Sequence, residues 1–369
     1  MIQITKGNFN RMNVCFLSKS KVEDLIKVLA GYGDVFASRE SEIASNRGSE
    51  SRILIKKLED KNLIDSYEVP GFRAFDSFKS FVLPARSKIA DYPDEKWLDI
   101  KEEKRKKALV GLKACDIISF SILDKVFLED KDYVDPFYKK RRESLILVSS
   151  DCTYSKDSCF CNLLGNFPYP EKGFDLNLSK IDGGYLVESG SGIGDEILKK
   201  LSIPEAKENQ ISKRDRNREK ILERLQKQNA NFSKAFSKPE KLTAEAFDNH
   251  EGWNIGSTCV SCSACTNVCP VCYCFTLFDK EGKKKEKYER YMVWDSCQFK
   301  GFSQMAGNMN PRFSHMDQFK NRYYHKFFRF HERYNVYKCT GCGRCIDNCL
   351  GDIDMREVLS GASNSVKVK

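Results

Sequence analysis

Two short runs of cysteine account for most of the chemistry that this sequence can perform. The first run has the spacing C-x2-C-x2-C-x3-C and consists of Cys259, Cys262, Cys265 and Cys269. The second run repeats that spacing with Cys339, Cys342, Cys345 and Cys349. Pro270 follows the first run, and Leu350 stands at the same place after the second. This spacing forms a tight loop that directs three thiolates at three corners of one [4Fe–4S] cubane.

The fourth cysteine of each run points away from its own loop and, in two-cluster ferredoxins, binds the other cluster. The first cluster is therefore predicted to be held by Cys259, Cys262, Cys265 and Cys349. The second is predicted to be held by Cys339, Cys342, Cys345 and Cys269. Zinc is the alternative, but structural zinc sites use cysteine pairs that lie well apart, often together with histidine. Four cysteines within residues 259–269, repeated later in the chain, do not fit that pattern.

A third group of cysteines lies far upstream of the two runs. Cys152, Cys159 and Cys161 form the pattern D-C-x6-C-F-C, and Cys115 follows a neighbouring predicted strand. Because the carboxyl ends of parallel strands share one edge of a sheet, these four thiols are expected to converge there. They predict a third [4Fe–4S] cluster, with buried structural thiols as the alternative.

Cys272, Cys274 and Cys297 lie between the two runs and fit several roles. They could bind another metal centre, complete the third site in place of Cys115, or pack and donate S–H hydrogen bonds near the clusters. Cys15 has no nearby companion in the sequence, so it is predicted to pack as a small apolar residue.

The elements that must position these cysteines divide the chain into four predicted parts. Buried strands over residues 108–112, 145–149, 174–178 and 185–188 alternate with helices, which predicts an α/β domain over residues 1–204. A charged helical linker is predicted for 205–240. A mostly helical, bacterial-type two-cluster ferredoxin-like (α+β) domain is predicted for 241–358, with the insertion 271–338 between its motifs. A flexible tail is predicted for 359–369.

The composition of the chain limits where the protein can work and what it can bind. The 369 residues are 41% hydrophobic, with no apolar run long enough for a membrane span and no secretory leader at the start, so a cytoplasmic location is predicted. Sixteen cysteines in a reducing compartment indicate metal binding rather than disulfides. The net charge of +10 includes a basic, aromatic segment at 317–334. That segment could bind nucleic acid, but it is interpreted as positive charge beside the clusters, with His325 packing nearby.

Together these residues resemble the iron–sulfur subunit that anaerobic sulfite reductases share with sulfhydrogenases, in which it is the beta subunit. The likeness is strongest over residues 250–355 and weak over the first 70. The residues that carry it are Cys115-Asp116, Cys152, Cys159-Phe160-Cys161, 259–275, 294–297, Ala306-Gly307, Asn310-Pro311-Arg312, His325-Lys326-Phe327 and 339–345. The resemblance implies an electron-transfer component without a substrate site of its own. A flavin subunit that oxidises NAD(P)H would supply electrons, and a sirohaem or nickel–iron subunit would consume them.

The leading hypothesis is therefore an iron–sulfur electron-transfer subunit of a multisubunit oxidoreductase. A sulfite reductase is the first choice of complex, and a nickel–iron hydrogenase or sulfur reductase is the alternative. A second class is a catalytic iron–sulfur enzyme with an open-site cluster at Cys152–Cys161, which three rather than four protein ligands would favour. A zinc-dependent or nucleic-acid-binding scaffold is a third.

Overall fold

The computed structural model describes residues 14–45, 48–59, 64, 67–92, 105–130, 132–248, 251–282 and 287–365. Its strands are β1 (Val14–Ser18), β2 (Gly33–Ser45), β3 (Gly48–Lys57), β4 (Arg86–Tyr92), β5 (Lys106–Leu112), β6 (Leu145–Ser150), β7 (Leu176–Ile181), β8 (Gly184–Ser189), β9 (Phe275–Glu281) and β10 (Tyr288–Trp294). Seven of them form one mixed sheet in the order β1-β8-β7-β6-β5-β2-β3. The four strands β2, β5, β6 and β7 run parallel. The predicted α/β character of the N-terminal part is thus confirmed.

Helices cover this sheet and build most of the C-terminal part. They are α1 (Val22–Ala30), α2 (Ala114–Phe127), α3 (Pro136–Glu143), α4 (Gly192–Leu201), α5 (Glu208–Gln228), α6 (Pro239–Glu245), α7 (Ala264–Asn267), α8 (His315–Tyr323), α9 (Phe330–Tyr334), α10 (Arg344–Asp347) and α11 (Met355–Ser365). A 3-10 segment spans Glu251–Thr258, and a π-helical turn spans Tyr324–Arg329 between α8 and α9. Within the part of the chain that the structure describes, no helix is both long and apolar enough to cross a bilayer.

The parallel strands are buried because helices lie on both faces of the sheet. Every residue of β6 is buried, as its uninterrupted apolar run predicts for a covered parallel strand. On one face α1 inserts Leu25, Ile26 and Leu29 into a core that also holds Ile197 of α4. On the other face α2 packs Phe120 against the sheet. The carboxyl ends of β5 and β6 are held rigidly as a result.

A second, three-stranded sheet in the order β4-β10-β9 ties the two ends of the chain together. β4 comes from the N-terminal part, whereas β9 and β10 belong to the insertion between the cysteine runs. Sequence patterning did not predict β4, because its charged residues obscure the alternation of a strand. Some of that charge is paired across the sheet, where Lys88 Nζ lies 2.7 Å from Glu289 Oε1 of β10.

The predicted helical linker is a helix, but it is not merely an exposed connector. α5 lies on β7 and β8, and Arg218 forms ion pairs with Asp151 and Glu188, each at 2.7 Å. Leu225 of α5 is fully buried. Gln228, at the end of α5, donates to the carbonyl oxygen of Cys159 at 2.7 Å. The interpretation as a linker overlooked these contacts because they use charged side chains whose partners lie far away in the sequence.

The predicted flexible tail also begins too early. α11 continues to Ser365, and Val358, Leu359 and Ala362 are buried in the C-terminal core with Trp253. Gly361 and the neighbouring serines obscured a helical spacing of apolar residues that was present in the sequence. Residues 366–369 lie outside the described part of the chain.

Candidate iron–sulfur centres

The two cysteine runs adopt the same backbone conformation. In the first loop Ser261 and Ser263 have positive φ values of 53° and 62°. At the equivalent positions of the second loop Gly341 and Gly343 have φ values of 67° and 71°. A one-turn helix follows each loop, α7 in the first and α10 in the second. Because a left-handed serine is strained, its occurrence twice in one loop indicates a backbone shaped for a purpose other than stability.

Three of the four ligands predicted for the first cluster line one cavity. They are Cys259, Cys265 and Cys349, and Cys345 of the second predicted set lines the same cavity. Cys262 lies close enough to Cys259 to interact with it electrostatically, and Cys262 is exposed at the surface. Burial raises the pKa of the Cys265 thiol to about 12. Thiols that are buried together and hard to ionise alone suit a site in which iron replaces their protons.

The second predicted set is enclosed by protein. Cys342 and Cys345 are near neighbours of Cys339, and burial raises the pKa of Cys339 to about 12. Lys326, in the π-helical turn, places its Nζ 3.3 Å from the Sγ atom of Cys269 and also interacts with Cys339. A single buried cation thus faces both the second loop and the fourth cysteine that the first run is predicted to contribute.

The four cysteines predicted for a third site line one cavity. These four cysteines are Cys115, Cys152, Cys159 and Cys161. The same cavity is also lined by Phe72, by Pro168 and by Cys342, which belongs to the second loop. Cys115 lies in the first turn of α2 directly after β5, and Cys152 follows β6. The expected convergence at the carboxyl edge of the sheet is what the structure shows. Burial raises the pKa of Cys152 to about 12 and also raises that of Cys159.

The third group and the second loop are packed directly against each other. The Phe160 amide donates to the carbonyl oxygen of Gly341 at 2.8 Å. A Cβ atom on Gly341 would lie 2.7 Å from the carbonyl carbon of Phe160, which is too close for any other residue. A glycine is therefore required here, both by its positive φ and by the approach of the loop that carries Cys159 and Cys161.

Buried arginines connect the same two groups. Arg344, which precedes Cys345, forms a fully buried ion pair at 2.8 Å with Asp116, which follows Cys115. Arg73 pairs with Asp347 at 2.8 Å and donates to the carbonyl oxygen of Cys342. Burial opposes ionisation of Cys342, yet Arg344 and Arg73 hold the pKa of its thiol below the usual value. The two arginines thus place positive charge between the thiols of the third group and those of the second loop.

Cys272, Cys274 and Cys297 lie elsewhere. The Cys274 thiol hydrogen-bonds to Cys297, which lowers the pKa of Cys297 and raises that of Cys274. The alternative in which these three residues complete the third site in place of Cys115 is wrong, because Cys115 lines that cavity and they do not. Among the described residues, no three His, Cys, Asp or Glu side chains are spaced to hold a single metal ion. Cys15 packs in the core of the larger sheet, as predicted.

Three of the basic residues in the segment over 317–334 are turned inward, whereas Arg329 and Arg333 are exposed. Lys320, Arg322 and Lys326 are each at most 5% exposed, so these three cannot neutralise the phosphates of a nucleic acid. Burial lowers the pKa of His325 to about 3, which keeps this imidazole neutral. Lys79 and Lys338 are equally buried near the cysteines, and sequence reasoning did not single them out. Lys338 directly precedes the second cysteine run, whereas Lys79 lies far from every one of these cysteines in the sequence.

Comparisons with known proteins agree with this arrangement. Residues 258–353 match the 4Fe-4S dicluster domain family. A curated relative is the Sulfhydrogenase 2 subunit beta of Pyrococcus furiosus, which is 28% identical over 341 residues, or 90% of this chain and 97% of the relative. No solved structure gives a significant match. The similarity extends further towards the N-terminus than the motifs indicated. The predicted resemblance to the sulfhydrogenase beta subunits is confirmed, and the chain carries a 4Fe-4S dicluster domain at its C-terminal end.

Proposed function

We propose that this chain is the iron–sulfur electron-transfer subunit of a cytoplasmic multisubunit oxidoreductase. The observation that carries the proposal is the continuous series of cysteine groups, from the exposed loop of Cys262 through the buried second loop to the cavity of Cys159. Closely spaced clusters pass single electrons, and the surrounding charge and burial set their potentials. The subunit needs no substrate site for this function.

The first cluster is assigned to Cys259, Cys262, Cys265 and Cys349, and the second to Cys339, Cys342, Cys345 and Cys269. The third is assigned to Cys115, Cys152, Cys159 and Cys161. Four thiols around the third cavity supply a full ligand set, which supports a relay centre rather than an open catalytic cluster. The bound clusters would supply reversible one-electron chemistry, and the chain would hold them, exclude water and provide positive charge.

A hydrogenase-type complex is favoured over a sulfite reductase, because the relative in Pyrococcus furiosus is a sulfhydrogenase subunit. On this proposal a flavin subunit exchanges electrons with NAD(P)H, and a nickel–iron subunit exchanges them with protons or sulfur. Sulfite reduction at a sirohaem partner, the first choice from the sequence, has only the motif resemblance in its support.

The cluster assignment is tested by measuring iron and acid-labile sulfide on anaerobically purified protein. At least about twelve iron atoms per chain are expected, at four per cubane. Replacement of Cys159 by Ser should remove about four, whereas replacement of the core residue Cys15 by Ser should remove none. A wild-type protein that folds without iron would reject the proposed function, and an unchanged iron content in Cys159→Ser would reject the third cluster alone.

The choice of complex is tested by adding purified partners to the oxidised subunit. Reduction of the clusters under hydrogen in the presence of a nickel–iron subunit would support the sulfhydrogenase assignment. Reoxidation by sulfite only when a sirohaem subunit is present would support the alternative. Visible absorption reports the oxidation state in both assays.

A further inference from the structure

Three cysteines remain that the relay proposed above does not use: the buried Cys272 and Cys297, and the half-buried Cys274. Two of them meet at the base of the β9–β10 hairpin. Phe275 pairs with Trp294 in that hairpin, and the Asp295 amide donates to the carbonyl oxygen of Cys274 at 2.9 Å. This register brings Cys274 beside Cys297, and their thiols hydrogen-bond.

Cys272 joins them from the turn that leaves the first cysteine run. Its amide donates to the carbonyl oxygen of Cys269 at 3.4 Å, which closes the turn. A guanidinium nitrogen of Arg322 lies 3.9 Å from its Sγ atom. Cys272 and Cys297 are each 8% exposed. Three thiols that are distant from the third cavity therefore share one buried region.

Four cations are buried around this region. Lys79 Nζ donates to the carbonyl oxygens of Asn267 and Cys272 and lies over the ring of Trp294. Lys338 Nζ lies 3.3 Å from the centre of the Tyr273 ring. The other two are Arg322 and Lys326, and all four are at most 5% exposed. No carboxylate of the described residues forms an ion pair with any of the four.

Buried cations without anionic partners are costly, at several kcal/mol each. Carbonyl oxygens and ring faces compensate only in part, so buried charges in proteins are normally paired or face metal centres. The first two clusters provide negative charge for Arg322 and Lys326, which lie beside Cys265 and Cys269. Lys79 and Lys338 face Cys272 most strongly, and both also face Cys269 of the second cluster and Cys274. Lys79 Nζ lies 3.0 Å from the carbonyl oxygen of Cys272. Thiolates at Cys272 and Cys274 would add to the negative charge that Cys269 provides for these two lysines.

We infer that Cys272, Cys274 and Cys297 are thiolate ligands of a further iron–sulfur centre, in addition to the three proposed above. A polynuclear centre fits better than a single ion, because no three His, Cys, Asp or Glu side chains of the described residues are spaced to hold one metal ion. Three cysteine ligands leave one coordination position to another group. The centre would lie beside Cys265 and Cys269, so it would branch from the relay towards the exposed hairpin rather than extend its line.

The test is an iron and sulfide count, by native mass spectrometry, on the full-length protein purified without oxygen. The wild-type chain is compared with Cys272→Ser/Cys274→Ser/Cys297→Ser, with Cys159→Ser and with Cys15→Ser. The triple variant should lose about four iron atoms with matching sulfide, beyond any loss in the Cys15→Ser control. The wild-type content should equal that loss plus the iron of the relay clusters. Because a cluster with three cysteine ligands gives up one iron on mild oxidation, wild-type protein should also develop a [3Fe–4S] electron paramagnetic resonance signal that the triple variant lacks.

Unchanged iron in the triple variant would overturn the inference while leaving the relay intact, and iron-free wild-type protein would reject both. Should the triple variant fail to fold, the wild-type protein still decides the matter through the oxidation experiment. Two results on wild-type protein would then overturn the inference together. The first is the absence of a [3Fe–4S] signal, and the second is an iron content equal to the iron lost in Cys159→Ser plus the iron of the two ferredoxin-type clusters.

Discussion

The two cysteine loops have the same backbone but opposite surroundings. The first loop is at the surface, where Cys262 is exposed and Val260 is 63% exposed. Leu350, which follows the second run, is 75% exposed beside this loop, because Thr258 Oγ1 donates to the carbonyl oxygen of Gly351 at 2.8 Å. The second loop is enclosed, and its glycines touch the backbone of residues 158–161. The difference indicates distinct tasks for one motif. The first cluster is suited to exchange electrons with a partner, and the second is suited to connect the first with the third site.

The largest effect is expected when glycine and serine are exchanged at equivalent positions of the two loops, Gly341 in the second and Ser261 in the first. Gly341→Ser introduces a Cβ where the backbone of Phe160 leaves no space, so the second loop and the third-site loop cannot pack together. We expect a loss of about eight iron atoms, the content of two cubanes. The reverse exchange, Ser261→Gly, relieves a left-handed serine of the exposed loop and should leave iron unchanged and the free energy of unfolding within about 1 kcal/mol of wild type. Equal losses in the two variants would contradict the difference between the loops.

The second-largest effect is expected on stability, when the buried ion pair between Arg344 of the second loop and Asp116 is broken. Arg344→Met leaves Asp116 charged, buried and without its partner, which should lower the free energy of unfolding by about 3–5 kcal/mol. Arg290→Met removes an exposed pair with Asp279 and should leave the urea midpoint almost unchanged. Tryptophan fluorescence during urea unfolding measures both. A midpoint for Arg344→Met as close to wild type as that of the control would show that Asp116 is stabilised in another way.

A smaller effect is expected on the potential of the second cluster. Lys326 places a buried positive charge 3.3 Å from the Sγ atom of Cys269, and it therefore favours the reduced, more anionic state. Removing that charge in Lys326→Met should lower the potential by on the order of 100 mV, for a charge about 6 Å from the cluster at an effective dielectric constant of about 20.

Lys326→Arg keeps the charge and should restore most of the potential, although the longer guanidinium side chain is less well accommodated. Redox titration followed by electron paramagnetic resonance measures each variant. If Lys326→Met and Lys326→Arg shift the potential equally, packing rather than charge sets it.

The sequence predicted the cysteine groups well because their spacing is local and their geometry follows from it. Cys115 and Cys152 were also placed together, because both follow parallel strands and the fold brings such strand ends to one edge. The cations could not be predicted in the same way. Lys79 lies nearly two hundred residues from the cysteines that it faces, and only the pairing of β4 with β10 brings the two regions together. The packing of α5 over Cys159 was missed for the same reason.

The smallest change in stability and iron content is expected for a substitution at the surface beside the first loop. That substitution nevertheless tests the proposed exchange of electrons with a partner most directly. Leu350→Ser removes an apolar side chain that packs little, so iron content and the free energy of unfolding, within about 0.5 kcal/mol, should stay as in wild type. Tyr133→Ser, at a site 81% exposed between α2 and α3, is the matched control. Gly351 accepts a hydrogen bond from Thr258 at the start of the first loop, so we expect a partner that docks over this loop to contact Leu350 as well. The rate of electron transfer to that partner, measured by stopped-flow absorption, should then fall several-fold in Leu350→Ser alone. Equal rates in the two variants would place the docking site elsewhere, and the exposure of the first loop would then have no role in the exchange of electrons with a partner.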